Sequence, residues 1–137
     1  MKRFQKVYLE ISNICNLSCQ FCPGTKRTPK VMTQEELSTL LPKLRPWTDF
    51  LYFHLMGEPF LHPQFQAILE GLHKMGFIIT LNSNGTMIDE STIAWLKNCP
   101  PVRINISLYG ASNETYARLC GNPQGFTQVV NAIALLK

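Results

Sequence analysis

The sequence contains no apolar run of about 18 residues, so it offers no candidate transmembrane helix. Its start does not read as a signal peptide. Behind the basic start Met1-Lys2-Arg3, the apolar residues Val7, Leu9 and Ile11 alternate with polar ones instead of fusing into an apolar core. Both absences are read as a cytoplasmic location. There is no nucleophile-base pattern and no glycine-rich phosphate loop, which removes support for a hydrolase or a kinase. Charge is modest at +4, and the one dense basic patch, Lys26, Arg27 and Lys30, is not interleaved with aromatics across a face. No nucleic-acid partner is expected from that pattern. The patch reads as a solvated loop, or else as a landing site for an acidic electron donor or an anionic substrate. Linkers, low-complexity segments and internal repeats are absent too, so residues 1–137 are read as one domain, long enough to bury a core.

What the chain does have is five cysteines, three of them in one short loop. Ser12 to Cys22 reads Ser-Asn-Ile-Cys-Asn-Leu-Ser-Cys-Gln-Phe-Cys, which sets Cys15, Cys19 and Cys22 at C-x3-C-x2-C spacing. Clustered thiols fit a metal site in a reducing compartment better than a disulfide framework. Soft thiolates suit an iron-sulfur cluster or zinc. Three thiolates are one short of a closed tetrahedral zinc site or a fully ligated ferredoxin-type cluster. If no fourth ligand arrives, one metal position stays open to a small molecule.

The remainder alternates strand and helix. Phe4 to Ile11 alternates apolar and polar residues and predicts a first strand. Thr33-Gln34-Glu35-Glu36 is a capping box ahead of Leu37, Leu40, Leu41 and Leu44, with Pro42 expected to bend or shorten that helix and Pro46 to end it. Phe50 to Leu55 reads as a strand buried on both faces, with His54 a hydrogen-bonded core histidine. Phe65, Ile68, Leu69 and Leu72 form a helical stripe closed by Gly76, followed by a third strand from Phe77 to Leu81. Asp89 caps a helix that must stop before Pro100-Pro101. Val102 to Leu108 alternates as a fourth strand. A short helix from near Asn113 stops at Gly121, and a last one carries Phe126, Val129, Val130 and Ile133. Four strand-helix units predict a parallel α/β sheet, of barrel or open type.

Ligands of such sheets bind at the carboxyl ends of the strands, and the unusual residues fall there. The cysteines follow strand one, Met56-Gly57-Glu58-Pro59 follows strand two, Asn82-Ser83-Asn84-Gly85 follows strand three, and Ser107 ends strand four. Gly57 permits close backbone approach, and Glu58 offers a carboxylate to an ammonium group. Ser107 can bond a hydroxyl or carboxylate, and Asn84-Gly85 makes a tight turn. Singly, these are a surface carboxylate, a strand-end hydroxyl and a turn; together they outline a site.

The C-x3-C-x-Φ-C run, with aromatic Phe21, resembles the signature of the radical S-adenosylmethionine superfamily, and the later motifs extend the likeness. Gly57-Glu58-Pro59 is similar to the family's glycine-glutamate motif, Ser83-Asn84-Gly85 to its Thr-Asn-Gly element, and Ile106 to Gly110 to its Ser-Leu-Asp-Gly element. The resemblance implies a 4Fe-4S cluster on Cys15, Cys19 and Cys22, with S-adenosylmethionine chelating the fourth iron. It implies cofactor contacts from Phe21, Gly57, Glu58, Asn84 and Ser107, and from Arg118 in the segment Thr115 to Gly121. It further implies a one-electron donor of flavodoxin or ferredoxin type, and a 5′-deoxyadenosyl radical that takes hydrogen from an unknown substrate. The likeness is nearest to the peptide-modifying, SPASM-type or activating-enzyme branch, which suggests a peptide or protein substrate. It also implies that four β-α units are the amino-terminal part of a truncated, partial TIM barrel, with an exposed sheet edge open to self-association. Met56, Tyr109 and Cys120 differ from the residues common at those family positions. Two alternatives stand beside this reading, a small redox carrier whose cluster is closed by Cys99 or Cys120, and a structural zinc module using a histidine. Cys99 and Cys120 are otherwise expected to be buried and dispensable.

Overall fold

A computed structural model describes residues 3–137; Met1 and Lys2 of the basic start lie outside the described residues. The strands are β1 (Val7–Leu9), β2 (Phe50–Phe53), β3 (Ile78–Ser83) and β4 (Arg103–Ile106), all parallel and in the order β1-β2-β3-β4. The helices are α1 (Gln34–Leu44), α2 (Phe65–Lys74), α3 (Glu90–Leu96), α4 (Asn113–Cys120) and α5 (Gly125–Leu135). Sequential strands therefore sit side by side, each pair joined by a helical crossover, as parallel pairing requires. Among the described residues no helix is long and apolar enough to cross a membrane.

The register explains which residues face the helices. Leu9 pairs with Phe53 and Phe53 with Leu81, and these side chains, with Leu51 and Ile79, point to one face. There they pack against Leu37 and Leu41 of α1, Phe65, Ile68, Leu69 and Leu72 of α2, and Leu96 of α3. Leu51, Leu69, Leu72 and Leu81 are fully buried, each stabilising the fold by about 1.5–3 kcal/mol. A smaller cluster of Leu17, Tyr116, Cys120 and Val129 joins the cysteine loop to α4 and α5.

The opposite sheet face carries Tyr8, Tyr52, Thr80 and Arg103 in one register row, with His54, Asn82 and Asn105 toward the carboxyl end. The expectation that β2 is buried on both faces is corrected here. Phe50 and His54 are exposed, on the face opposite the one the helices pack against. His54 is thus no core histidine; its ring packs on Tyr8 and its Nδ1 bonds the Asn82 amide.

Several boundaries also move. The first strand is shorter than Phe4 to Ile11 because beyond Leu9 the backbone pairs elsewhere. The Met32 N–H donates to the Ile11 carbonyl, and Ser12 bridges Val31. The second strand stops at Phe53, ahead of Leu55, whose φ of 91° takes it out of strand geometry. Pro42 lies inside α1, which runs on to Leu44 and stops just before Pro46, where the sequence leads one to expect. The capping box at Thr33 and Glu36, the cap at Asp89 and the left-handed Gly121 stop of α4 form as the sequence leads one to expect.

Candidate functional site

The four strands end on one rim, where a cavity of about 430 Å³ opens. Cys15, Cys19, Phe21, Cys22, Gly57, Glu58, Asn84 and Ser107 all line it. Residues from four separate loops are therefore brought together. Arg118 is not. It lies on the exposed side of α4, outside this lining, and its backbone carbonyl accepts from the Gln20 side chain.

The cysteine loop is anchored on both sides. Ser18 N–H donates to the Cys120 carbonyl at 3.1 Å and Gln20 N–H to the Leu119 carbonyl at 2.8 Å, which seats the loop on the end of α4. On the other side Glu58 N–H donates to the Ile14 carbonyl at 2.8 Å. All three thiols are free and line the same cavity. Burial pushes the Cys15 thiol up, partly opposed by hydrogen bonds from the Leu17 backbone and Asn84. Burial, together with the neighbouring Cys120, pushes the Cys19 thiol up to about 12.

Gly57 has a role the sequence did not show. Its φ is 83°, and a Cβ there would lie 2.3 Å from the Ser12 carbonyl oxygen and 2.9 Å from that of Ile14. What approaches Gly57 closely is thus the backbone of the cysteine loop itself. Alanine at Gly57 is expected to cost about 3 kcal/mol or more, because neither the backbone contact nor the positive φ can relax cheaply. Urea unfolding of the variant checks this, and an unchanged midpoint would contradict it.

Glu58 is no surface carboxylate. It is 2% exposed, and its oxygens accept from Ser83 Oγ (2.8 Å), Asn84 N–H (2.7 Å) and Phe60 N–H (3.2 Å). This carboxylate ties the loop after β2 to the loop after β3. Asn84 continues the chain of contacts, donating to Asn16 Oδ1 at 2.8 Å and approaching Cys15 Sγ at 3.8 Å. Gly85 takes the positive φ of 75° that its turn needs.

Two features went unrecognised in the sequence. Glu10 lines the cavity, pairs with Arg27 at 2.6 Å and accepts from the Met56 N–H at 2.9 Å. A carboxylate at the end of an alternating strand was the available signal. Tyr109 packs on Phe21 with ring centroids 4.9 Å apart and the rings tilted by 49°, making an aromatic wall beside Ser107. The basic patch is largely spent within the chain, Arg27 on Glu10 and Lys30 on Glu36.

A family model described as the radical SAM superfamily matches residues 9–137. The chain belongs to the radical SAM superfamily. The family uses a 4Fe-4S cluster and S-adenosylmethionine. Among curated relatives, GTP 3′,8-cyclase of Microcystis aeruginosa is 32% identical over 126 residues, covering 84% of this chain and 38% of that protein. AdoMet-dependent heme synthase of Oleidesulfovibrio alaskensis is 24% identical, covering 93% of this chain and 34% of that one. The chain thus spans a little over a third of the length of these relatives. Among solved structures, Streptococcus suis SuiB bound to precursor peptide SuiA superposes with a TM-score of 0.78 at 16% identity, over 96% of this chain and 30% of that one. Native anSMEcpe with bound AdoMet and Kp18Cys peptide gives 0.75 at 23% identity, over 96% of this chain and 40% of that one. These likenesses show that the four parallel strands and five helices are a radical SAM fold.

The residues present fit the family's cofactors. Cys15, Cys19 and Cys22 line the same cavity, and soft thiolates are the donors an iron-sulfur cluster takes.

Proposed function

We propose that this chain is the cluster-binding and S-adenosylmethionine-binding part of a radical SAM enzyme acting on a peptide or protein. The observation that carries the reading is the gathering of three loop thiols, Gly57, Ser107 and the tilted Phe21-Tyr109 ring pair around one cavity. Cys15, Cys19 and Cys22 would hold three irons of the cluster, leaving the fourth to the amino and carboxylate groups of S-adenosylmethionine. When bound and reduced, this pair supplies a 5′-deoxyadenosyl radical for hydrogen abstraction. The chain's own residues bind, orient and exclude water.

In that division of labour Phe21 and Tyr109 offer an apolar face to the adenine, and Ser107 a hydroxyl to the cofactor's polar groups. Glu58 acts as a brace, since its oxygens already accept three hydrogen bonds. It presents the Met56-Gly57 backbone at the cavity wall, where carbonyl groups can meet the methionine ammonium. The peptide assignment draws on two solved neighbours whose structures contain peptides. A flavodoxin-like or ferredoxin-like donor in the cytoplasm would supply the electron.

A fully ligated redox carrier is the second reading, because Cys120 lies against Cys19. Cys99 gives it no support, being buried against the Trp95 carbonyl. Self-association is proposed through β4, which pairs only with β3 among the described residues and carries just one charge, Arg103, along its edge.

The test is anaerobic reconstitution, reduction with dithionite and addition of S-adenosylmethionine, with light scattering on the same sample. 5′-Deoxyadenosine in amounts tracking cluster content, from an associated species, is expected. A cluster-loaded protein that releases none would overturn the enzyme reading, and a strict monomer would overturn the edge proposal.

A further inference from the structure

Asn84 turns its side-chain amide toward the sulfur of Cys15. It is buried in the turn after β3, where the Glu58 carboxylate holds its backbone N–H at 2.7 Å. The side chain has one orientation only. Asn84 Oδ1 accepts from the Thr86 N–H at 2.9 Å and from the Thr86 hydroxyl at 2.8 Å. A backbone N–H can only donate, so the amide oxygen faces Thr86 and the amide nitrogen faces the cysteine loop. There Nδ2 gives one hydrogen to Asn16 Oδ1 at 2.8 Å, and among the described residues Cys15 Sγ, at 3.8 Å, is the acceptor left for the other. A second sulfur of the triad is served in the same way, since Cys22 Sγ accepts from the Gly24 N–H at 3.4 Å. That donor is backbone, whereas the one on Cys15 is a side chain that a substitution can remove.

A thiolate bound to iron keeps lone pairs that can still accept a hydrogen bond. Donors to cluster sulfurs are one of the protein's levers on reduction potential, since they stabilise the more negative, reduced state. Burial strengthens such a bond by keeping water from competing for it. Resting on the cluster assignment above, we propose that the Asn84 side-chain amide donates a hydrogen bond to the Cys15 thiolate and holds the cluster at a higher reduction potential than the cysteine loop alone would give. Glu58 fixes the Asn84 backbone and Thr86 fixes its amide, so the donor stands ready before any cluster binds and costs little further ordering. Asn84 is then a positioning residue that acts on the cluster through Cys15, and its own polar atoms are taken up within the chain.

The experiment compares wild type, Asn84→Ala, Asn84→Asp and Asn16→Ala as full chains, reconstituted anaerobically, with iron and sulfide quantified and the cluster potential measured without S-adenosylmethionine. Far-UV circular dichroism checks that each variant is folded. The expected result is a potential shifted clearly negative in Asn84→Ala and further negative in Asn84→Asp, which keeps the oxygen for Thr86, loses the donor and adds a charge. Asn16→Ala, which removes the amide's other acceptor and leaves its donor to Cys15, is expected to stay at the wild-type potential. Equal potentials in wild type and Asn84→Ala would overturn the proposal while leaving the cluster assignment intact. An equal shift in Asn16→Ala would overturn it too, by tracing the effect to the loop and not to the donor, as would a folded Asn84→Ala that no longer takes up iron. Pulsed paramagnetic resonance of reduced wild type carrying 15N in its asparagine side chains gives a test that does not depend on any variant folding. A nitrogen coupling to the cluster is expected, and its absence would overturn the proposal. Wild type that holds no iron-sulfur cluster at all would bring down the cluster assignment and this proposal with it.

Discussion

Alanine at any one of Cys15, Cys19 or Cys22 is expected to abolish a stable four-iron cluster, while alanine at Cys99 leaves iron and sulfide at the wild-type level. The three loop thiols line one cavity, whereas Cys99 is buried against α3 and bonded to the Trp95 carbonyl. A cluster held by three protein ligands has none to spare, so losing one leaves two thiolates and two irons without protein sulfur. The loop should survive the substitution, because Ser18, Gln20 and Glu58 anchor it through backbone hydrogen bonds that no cysteine side chain makes. Circular dichroism should therefore show folded variants with little iron. Full iron and sulfide in Cys19→Ala would sink the assignment of the triad.

The second large effect is expected at Glu58. Alanine there would leave Ser83 Oγ, Asn84 N–H and Phe60 N–H without their acceptor in a buried site. At about 1–3 kcal/mol for each unsatisfied group, partly relieved by entering water, the variant should lose roughly 3–5 kcal/mol. Glu58→Gln keeps one acceptor oxygen and should lose less. The charge state adds a pH signature. Burial pushes the Glu58 carboxyl above its ordinary value of 4.5, only partly offset by hydrogen bonds from Asn84, Ser83 and Phe60. The folded chain therefore holds this proton to higher pH than the unfolded chain does. Its contribution is fully present below the unfolded value and is lost as pH rises through the folded one. Urea unfolding across that window should show wild type losing stability relative to Glu58→Gln as pH rises. A wild type that gains on the glutamine variant over the same window would show the shift to have the other sign.

The strand-helix order and the rim of functional loops were legible because both depend on local patterns. Alternation at Val7, Leu9 and Ile11 marks a strand, Thr33 and Glu36 mark a helix start, and the cysteine spacing is short. What stayed hidden depends on partners far along the chain. The end of β1 is set by Val31 and Met32, which take the backbone of Ile11 and Ser12 away from β2. Glu58 looked like a loop carboxylate because Ser83 and Asn84, which bury it, lie in another β-α unit. His54 read as core because an apolar run does not say which of its faces a helix will cover. Cys120, by contrast, reads in the sequence as a small buried hydrophobe and packs as one with Leu17, Tyr116 and Val129.

The central claim is that one iron of the cluster stays open and takes S-adenosylmethionine. Electron paramagnetic resonance of the reduced, reconstituted chain, recorded with and without saturating S-adenosylmethionine, tests it most directly. A changed spectrum is predicted, because the cofactor's amino and carboxylate groups would ligate an iron that no protein sulfur holds. An identical spectrum in both samples would contradict the account and point to a cluster already closed by a fourth protein ligand.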